Sequence, residues 1–366
     1  MDHKLQQVCR IFCIEGTFAA YQEITVGNVN RTYKADFLQA DGTTRSYMVQ
    51  AVNTVAFKDP VAVMHNIDRV TGHIRAKKPG YTVLQFYHTK DGVPYHFEGD
   101  VFWRVFNYIP SVTHNACEDL EVVRSAGEAF GEFQRMLDDF DPANLYLTIP
   151  DFHNTKQRYR KLEADIAANP LGRVAEVREE LDWLLGVKEQ ACVLCDLLLQ
   201  GKLPLRVTHN DTKINNVLFD QEGKHALVVI DLDTVMPGLL GYDFGDAIRY
   251  AANCVEEDCC QAGKAQVDMA VFRAFTQGFL THTADMLTQA EVDTLALSCF
   301  VLTCEQAVRF LDDYLLGSPY FKIQYPEHNL VRARCQIALA KDMLARQEEM
   351  QQIVLECVDQ HRAACV

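Results

Sequence analysis

The sequence is short of positive charge: 35 lysine and arginine residues stand against 50 aspartate and glutamate residues, and the formal net charge is −15. Nucleic acids and anionic membrane surfaces are bound by basic patches, so this balance argues against both kinds of partner. It still allows a local basic pocket for phosphates. The 366 residues are enough for one large or two moderate domains.

Long hydrophobic runs are also scarce, and we expect no segment that approaches the length of a membrane span. The first residues, MDHKLQQVCRIFCIEG, mix charged and polar residues with apolar ones. They lack the apolar core of a signal peptide. We therefore expect a cytoplasmic protein without a membrane partner.

The cysteines give no sign of a disulfide framework, because the 13 cysteines are odd in number and scattered along the chain. Cys192 and Cys195 form one C-x-x-C pair within a helical pattern. A metal site needs more ligands than this pair supplies, so we interpret both residues as structural.

The first 109 residues predict an antiparallel sheet with one crossing helix. A short helix comes first and is stopped by Gly16, and the crossing helix starts at Asp59 and Pro60. Two Asp-Gly pairs mark hairpin turns. The predicted strands are 32–39, 45–52, 81–87, 93–97 and 101–109.

After Pro110 the pattern changes and long helical segments dominate. They lie at about 120–139, 158–168, 174–200, 267–281, 290–316 and 327–358. We divide the chain into an N-terminal lobe, 1–109, and a C-terminal lobe, 110–366. The functional site is expected in the cleft between the lobes.

Two polar loops within residues 207–249 indicate the chemistry. Each loop lies beside short apolar runs that predict paired strands, so carboxylates and amides project from neighbouring strand ends. Phosphoryl transfer needs a carboxylate that accepts a hydroxyl proton and oxygen ligands that hold a divalent cation on nucleotide phosphates. Asp211 suits the first role, and Asn216 and Asp231 suit the second.

This segment resembles the HxDxxxxN loop of the kinase-like phosphotransferases, with His209, Asp211 and Asn216 at its positions. Asp231 stands where that superfamily keeps its metal-binding Asp. The wording HNDTKINN, IDLDTVMPG, FGDAIR, RFLDDYL and YPEHNLVR is similar to that of the N-acetylhexosamine 1-kinases of the aminoglycoside phosphotransferase group. The similarity runs in order over nearly the whole chain.

The resemblance implies an α+β, protein-kinase-like fold with a small antiparallel-sheet N-lobe and a larger, mainly helical C-lobe. It also implies ATP and Mg²⁺ as cofactors. The implied substrate is N-acetylglucosamine or N-acetylgalactosamine, phosphorylated on the anomeric hydroxyl.

Four residues in and around the central motif, His209, Lys213, Asp231 and Asp233, need a choice between a structural and a functional interpretation. His209 is structural in the family's pattern, and we interpret it as an orienting partner and not as the base. Lys213 is either solvated or a charge that stabilises the transition state as a catalytic residue. Asp231 and Asp233 flank one leucine, so on an extended strand both point to the same face and could share a metal ion. Asp233 could also cap the next turn or support the site from behind.

Nucleotide contacts are predicted at two places in the N-terminal lobe. Gly27, Asn28 and Asn30 lie in a small polar turn whose N–H groups could close over phosphates, although an ordinary turn fits the composition as well. By resemblance, the strand that ends the lobe leads into a hinge. There the backbone of Asn107 and Tyr108 would meet the edge of the adenine.

One feature departs from the superfamily. Its third strand usually carries a lysine that contacts the phosphates, but residues 47–52 contain no lysine. Gln50 occupies the corresponding position and brings no charge. Asp68, on the crossing helix, is the nearest counterpart of the acidic partner of that lysine.

Acceptor binding is predicted from two helices. Asp243 and Asp246 begin a helical run, where capping explains Asp243 as structural and leaves Asp246 free to turn toward substrate. Glu305, Arg309 and Asp313 are spaced by four and share one helix face, as a sugar-binding stripe or as a surface salt-bridge ladder.

In the family, Arg309 and Tyr320 match sugar-contacting positions, and we expect Asp313 to bind the substrate together with them. We therefore expect an ATP- and Mg²⁺-dependent sugar kinase. One alternative is a kinase of another small alcohol, such as an amino alcohol or aminoglycoside, which Arg309 would disfavour by repelling a cation. A non-catalytic nucleotide-binding module is the other. The sequence leaves the oligomeric state and the preferred hexosamine epimer open.

Overall fold

The structure, a computed structural model, describes residues 2–25, 30–54, 57–116 and 118–364. Within these ranges, the N-terminal part contains five strands and two helices. The strands are β1 (Thr17–Ile24), β2 (Arg31–Leu38), β3 (Thr44–Val52), β4 (His96–Glu98) and β5 (Val101–Asn107), and the helices are α1 (Asp2–Cys9) and α2 (Pro60–Lys77). The strands form one antiparallel sheet in the order β1-β2-β3-β5-β4.

The two faces of this sheet carry different side chains, because residues alternate across a strand. On the outer face, Val49 of β3 and Val105 of β5 pack with Leu5 of α1 in a separate hydrophobic cluster. Gln50 and Arg104 are direct partners across β3 and β5 and lie on the opposite face. That inner face turns toward α2 and the C-terminal part of the chain.

The C-terminal part is mainly helical. Its helices are α3 (Leu120–Met136), α4 (Thr155–Ala168), α5 (Arg178–Gly186), α6 (Lys188–Ala191), α7 (Val193–Leu199), α8 (Leu240–Ala251), α9 (Met269–Thr283), α10 (Gln289–Leu315), α11 (His328–Ala345) and α12 (Gln347–Ala364). Two small hairpins pair β6 (Arg206–Thr208) with β9 (Met236–Gly238) and β7 (Val217–Phe219) with β8 (Ala226–Val229). The expected α+β, protein-kinase-like class is confirmed.

The junction between the lobes is closely packed. Met64 and Ile67 of α2 belong to the same hydrophobic core as the C-terminal helices. The amide of Asn66, which is also on α2, donates to the backbone oxygen of Val235 at 2.9 Å. After β5, Val112 exchanges two backbone hydrogen bonds with Phe219. We propose 109/110 as the boundary on this basis.

Three expected elements differ in the structure, and one strand was not expected. The edge strand β1 was missed, and the predicted strand 81–87 is a loop with one bridge, between Phe86 and Phe106. The helical pattern 174–200 is broken into a 3-10 turn and three short helices, α5 to α7. The pattern 327–358 is two helices, α11 and α12, separated at Arg346.

The expectation about membrane-length segments was wrong by length and composition. Helix α10 is 27 residues long and holds a window of mean hydropathy 1.3, enough to cross a membrane by these criteria. However, 78% of that window is buried inside the protein. The pattern of α10 is therefore explained by its place in the core.

Candidate active site

The loop after β6 carries Asp211 between two donors. Lys213 Nζ lies 3.0 Å from one carboxylate oxygen of Asp211, and Asn216 Nδ2 donates to the other at 3.1 Å. Asn216 also donates to the backbone oxygen of Asp211 at 2.8 Å. The carboxylate is half-buried and fixed in direction, as a proton acceptor needs to be.

His209 and Asp243 hold this loop from behind. Both are buried. His209 accepts the backbone N–H of Asp211 at Nδ1 (3.2 Å), so its Nε2 is the donor to the backbone oxygen of Ile230 at 2.8 Å. Asp243 accepts from the backbone N–H of His209 at 2.8 Å and of Asn210 at 2.7 Å. The orienting role of His209 stays a prediction that this geometry supports.

The capping interpretation of Asp243 was wrong. Helix α8 starts at Leu240 with Leu239 as its cap residue, which makes no side-chain capping bond. Asp243 instead uses its carboxylate on the catalytic loop, where a free loop N–H pair would otherwise be buried without acceptors. Burial raises the pKa of Asp243 despite these donors.

The loop after β8 does not continue as a strand, and this corrects the premise on which Asp231 and Asp233 were paired. Asp231 has φ 59° and ψ 56°, and a 3-10 turn follows at Leu232–Thr234. In the left-handed region an L-residue costs about 1–2 kcal/mol, so neighbours must hold it there. The two carboxylates consequently point to different surroundings.

Asp233 is buried in an ion pair with Arg104 of β5. Arg104 Nη2 donates to Asp233 Oδ2 at 3.1 Å, and Nη1 binds Oδ1. Asn30 Nδ2 donates to Oδ2 as well, at 3.0 Å. Since both oxygens are engaged, the structure gives Asp233 no free oxygen for a metal ion, and the prediction that it is a ligand loses its geometric basis.

Asp231 and Asn216 fit a hard cation. The Nδ2 of Asn216 donates to Asp211, so the Oδ1 of Asn216 is available as a ligand for the cation. Asp231 does not cap the turn that follows it. Part of Asp231 is exposed to solvent. Desolvation of its carboxylate by the surrounding protein, and then the negative charges of Asp233 and Asp211, raise the pKa of Asp231 to about 6. A cation relieves such crowding of negative charge.

Within the described ranges there is no group of three or more His, Cys, Asp or Glu side chains that could hold a metal by themselves. Two protein ligands are nevertheless enough for Mg²⁺, which is usually bound together with substrate phosphates. The donor set of one carboxylate and one amide oxygen is of the kind that Mg²⁺ takes at such sites. Both ligands stay predictions.

Lys213 and Asp246 belong to one charge network beneath the loop. Burial acts to lower the pKa of Lys213, but the carboxylates of Asp211 and Asp246 outweigh it and raise the pKa. Asp246 is buried, accepts from Arg249 at 2.7 Å and from the backbone N–H of Thr212 at 3.2 Å. The structure therefore places Asp246 behind the catalytic loop, which disfavours the predicted contact with substrate.

The predicted phosphate turn is described only in part. Gly27 and Asn28 lie outside the described residues. Asn30 is described, and its Oδ1 accepts from the backbone N–H of Asn53 at 2.9 Å. Gln50 accepts from Arg104 Nε at 2.9 Å and donates to Thr32 at 2.9 Å.

At the hinge, the N–H groups that were expected to face an adenine are already used. The N–H of Asn107 donates to Gln85 at 3.1 Å, and that of Tyr108 to Ser46 at 3.4 Å. The side chain of Asn107 also accepts from the N–H of Gln85 at 2.7 Å. Any contact of these two residues with an adenine would have to use other atoms.

The stripe on α10 divides into parts with different partners. Arg309 lies over the rings of Phe321 and Phe152, with its guanidinium carbon 5.4 and 6.0 Å from the ring centroids. Arg158 lies beside it, donates to the backbone oxygen of Phe152 at 3.0 Å, and has a buried Nε without a partner among the described residues. Burial, and then the charge of Arg309, lower the pKa of Arg158.

Glu305 does not share a surface ladder with Arg309, so the salt-bridge alternative was wrong. Its carboxylate is buried and bonds His153 Nδ1 at 2.9 Å and Thr155 Oγ1 at 2.7 Å. His153 Nε2 lies 3.3 Å from the backbone oxygen of Asn210, next to Asp211. This chain of contacts connects α10 to the loop that carries Asp211.

Asp313 is buried and supports the loop that follows α10. It accepts from the backbone N–H groups of Tyr320 and Phe321, each at 3.0 Å, and from Asn329 at 2.8 Å. The carboxylate of Asp313 is thus engaged by its own loop, which disfavours the predicted direct contact of Asp313 with substrate. Tyr320 is 71% exposed, so its ring is free to meet a ligand.

Three residues of this region were not found from the sequence: Arg104, Arg158 and His153. Arg104 and His153 lie far along the chain from their partners, 129 positions for Arg104 and Asp233 and 152 positions for His153 and Glu305. Arg104 offered one signal, since an arginine in an otherwise apolar strand has to be paired. Nothing local indicated the partner.

Two lobes, with the Asp211 loop at their junction and the Asp231 turn beside it, define a kinase-like phosphotransferase fold. A family model agrees: the phosphotransferase enzyme family (APH) matches residues 20–282. The chain belongs to this family.

Solved structures share the fold at low identity. The aminoglycoside phosphotransferase from Alicyclobacillus acidocaldarius subsp. acidocaldarius DSM 446 is 14% identical with a TM-score of 0.58, over 98% of this chain and 96% of that one. The microcompartment-associated aminopropanol kinase is 15% identical with a TM-score of 0.62, over 94% and 97%. Spectinomycin phosphotransferase APH(9)-Ia, solved with ADP and its antibiotic, is 12% identical with a TM-score of 0.53, over 94% and 98%.

Proposed function

We propose that the protein is an ATP- and Mg²⁺-dependent kinase that phosphorylates the anomeric hydroxyl of an N-acetylhexosamine, N-acetylglucosamine or N-acetylgalactosamine. The observation that carries the proposal is the pair of neighbouring guanidinium groups, Arg309 and Arg158, beside the catalytic loop. Glu305, one turn before Arg309 on α10, is already bonded to His153 and Thr155. The positive charge of these two guanidinium groups disfavours a cationic acceptor. Their N–H donors suit the hydroxyls and the acetamide oxygen of a neutral sugar.

The aromatic rings support the same substrate. The guanidinium of Arg309 lies over the rings of Phe152 and of Phe321, and these contacts fix the direction of its donors. Tyr320 is exposed next to Phe321, with the two ring centroids 4.8 Å apart. An exposed ring can stack on the apolar face of a pyranose, while a fixed guanidinium donates to its polar edge.

In this proposal, Asp211 accepts the proton of the anomeric hydroxyl as its oxygen attacks the terminal phosphorus of ATP. The bond from that phosphorus to the bridging oxygen breaks, which gives a sugar 1-phosphate and ADP. Lys213, bound to Asp211, places a positive charge beside the transferred group. Asn216 and Asp231 would hold Mg²⁺, which neutralises charge on the nucleotide phosphates.

A kinase of an amino alcohol or an aminoglycoside is the second candidate. The similar structures named after such substrates favour it, but identities of 12 to 15% show the fold alone. Cationic acceptors need acidic or aromatic pockets without competing cations. A non-catalytic nucleotide-binding module is disfavoured because Asp211, Asn216 and Asp231 are all present at the junction of the lobes.

An acceptor panel tests the proposal. ADP release would be followed with ATP and Mg²⁺ in the presence of N-acetylglucosamine, N-acetylgalactosamine, glucose, ethanolamine, choline or kanamycin, with Asp211→Asn as the blank. We expect turnover with the N-acetylated sugars. Turnover with ethanolamine, choline or kanamycin alone would replace the proposal by the second candidate, and ADP binding without any acceptor-dependent release would favour the non-catalytic module.

A further inference from the structure

Arg104 is a buried cation at the contact between the lobes. The residue is 3% exposed and lies on the inner face of the sheet, opposite Gln50. It comes from β5 of the N-terminal lobe, while its carboxylate partner, Asp233, comes from the C-terminal lobe. A buried guanidinium needs a hydrogen-bond acceptor for each of its donors. Loss of its carboxylate partner would leave a buried charge uncompensated and would destabilise the protein.

The groups that accept hydrogen bonds from Arg104 come from both lobes. Nη1 and Nη2 bind the two oxygens of Asp233, and Nε donates to Gln50. Nη1 also contacts Met64 Sδ at 3.7 Å, and the guanidinium carbon lies 5.6 Å from the ring centroid of Phe86. The side chain is therefore held in one orientation by β3, α2 and the loop before β4.

The carboxylate of Asp233 lies two positions after Asp231, in the turn where Asp231 adopts positive φ. Asn30, at the end of the segment that precedes β2, donates to the same carboxylate. One ion pair thus joins the proposed phosphate turn, the inner face of the sheet and the turn of the proposed metal ligand.

The carboxylate of α2 does not take part. Asp68 bonds His88 Nε2 at 2.9 Å, and within the described part of the chain it makes no hydrogen bond or ion pair with Gln50 or Arg104. Residues 47–52 of β3 contain no basic residue. The charge on the inner face of the sheet at this point therefore comes from β5, and its partner comes from the other lobe.

We propose that Arg104 is a positioning residue for the metal–nucleotide site: through Asp233 it holds the Asp231 turn in its binding geometry against the small lobe. This inference rests on the proposed use of a nucleotide with Mg²⁺, but not on the identity of the acceptor. Removal of groups that orient a metal ligand costs on the order of 10- to 100-fold in metal affinity.

The test compares three variants, Arg104→Met, Asp233→Asn and the double variant, with Arg206→Met as a matched control. Arg206 also makes a bidentate pair with a buried carboxylate, Glu291, at 2.6 and 2.8 Å. That pair lies at the start of α10, in the C-terminal lobe. Each protein would be titrated with ADP in the presence of Mg²⁺ or EDTA by calorimetry, and its Tm measured without ligand.

The readout is the ratio of ADP affinity with Mg²⁺ to ADP affinity with EDTA. We expect Arg104→Met and Asp233→Asn to lower this ratio by about tenfold or more. Both should also lose Tm, since each leaves a buried partner unpaired. The double variant should regain Tm, because neither charge is left alone, but keep the low ratio. Arg206→Met should lose Tm and keep the wild-type ratio.

Recovery of the ratio together with Tm in the double variant would overturn the inference, because a merely structural pair behaves in that way. A wild-type ratio in Arg104→Met would overturn it as well. If wild-type protein binds ADP with Mg²⁺ but phosphorylates no sugar, the proposed acceptor fails and the inference stands. If wild-type protein shows no Mg²⁺-dependent ADP binding, both fail.

Discussion

The carboxylate of Asp211 is oriented without a bound acceptor, because Lys213 and Asn216 bind its two oxygens. This orientation depends on residues that do not touch the reacting atoms. His209 ties the loop to the strand before Asp231, and Asp243 accepts two of the loop's N–H groups. At the scale of single residues, the site is a small set of reactive groups held by a larger set of buried polar ones.

Replacement of Asp211 by asparagine should abolish turnover and leave nucleotide binding nearly unchanged. The change keeps the shape of the side chain and removes the proton acceptor, whose contribution is on the order of 10²–10⁴-fold. Steady-state rates and calorimetric ADP titration of the same preparation would check this. A rate above about a tenth of wild type would show that Asp211 is not the base.

The His153–Glu305 pair should stabilise the protein in a limited pH range. Burial acts to lower the pKa of His153, but Glu305 outweighs it and raises this pKa above 6.5. That contribution is full below 6.5 and is lost as the pH rises through the folded-state value. Burial acts to raise the pKa of Glu305, but His153 and Thr155 lower it below 4.5, so its contribution is lost toward acid.

Between these two limits the pair is worth most. We therefore expect the Tm difference between wild type and His153→Gln to be largest between pH 4.5 and 6.5 and to narrow at higher pH. Thermal unfolding over a pH series would measure it. A difference that grows steadily from pH 6 to 8 would contradict the charged pair.

Arg309→Ala and Tyr320→Ala should each raise the KM for the sugar about tenfold, with little change in the KM for ATP. Loss of a hydrogen-bond partner costs a neutral ligand on the order of 1–3 kcal/mol. Arg173→Ala is a matched control, because Arg173 lies 4.6 Å over the ring of Tyr314 and donates to its backbone oxygen. Equal effects on both substrates, or on the control, would make the stripe structural.

Asp211, His209 and Asn216 could be predicted from the sequence because they share one loop, in which a short motif fixes their spacing. Asp233 could not be assigned in the same way. Its partner Arg104 lies on another lobe, and the positive φ of Asp231 breaks the alternation that the strand pattern assumed. Contacts between distant segments and local backbone reversals leave no periodic signal.

Two helices of the C-terminal lobe pack at backbone distance, and this can be tested at the scale of elements. A Cβ on Gly278 of α9 would lie 2.1 Å from the backbone oxygen of Arg124 on α3. Gly278→Ala should therefore force the helices apart and destabilise the protein by about 1–3 kcal/mol. Urea denaturation followed by circular dichroism would measure the change.

Gly72 in α2 is the control for this prediction, since the nearest group to its added Cβ is the end of the Arg75 side chain at 4.0 Å. Gly72→Ala should stabilise by about 0.5–1 kcal/mol, because alanine is the better helix former. Destabilisation by both alanines to the same extent would show that backbone contact between α3 and α9 is not the cause.

The missed and broken elements also have physical reasons. Strand β1 (TFAAYQEI) lies at the sheet edge and is largely solvent-facing, so its apolar residues do not alternate. Residues 81–87 have a strand-like composition, yet they make only isolated bonds to β5, whose edge is shared with β4. Helical segments such as α10 were predicted well because a long buried face repeats over many turns.

At the scale of the whole molecule, the lobes are joined by apolar packing and by charge. The main core runs from α2 through the C-terminal helices, and Arg104 and Asp233 add an ion pair across the junction. The chain is acidic overall, with a net charge of −15, but Arg158 and Arg309 are neighbours in the C-terminal lobe. A protein with a negative net charge can thus contain a local pair of positively charged side chains.

In the proposed reaction, the phosphoryl group is transferred to the anomeric oxygen of an N-acetylhexosamine. The direct measurement is ¹H and ³¹P NMR of the product formed from N-acetylglucosamine or N-acetylgalactosamine with ATP and Mg²⁺. The account predicts a sugar 1-phosphate, in which the anomeric proton is coupled to phosphorus, and none with Asp211→Asn. Coupling of phosphorus to the C6 protons, or no phosphorylated sugar from either substrate, would contradict it.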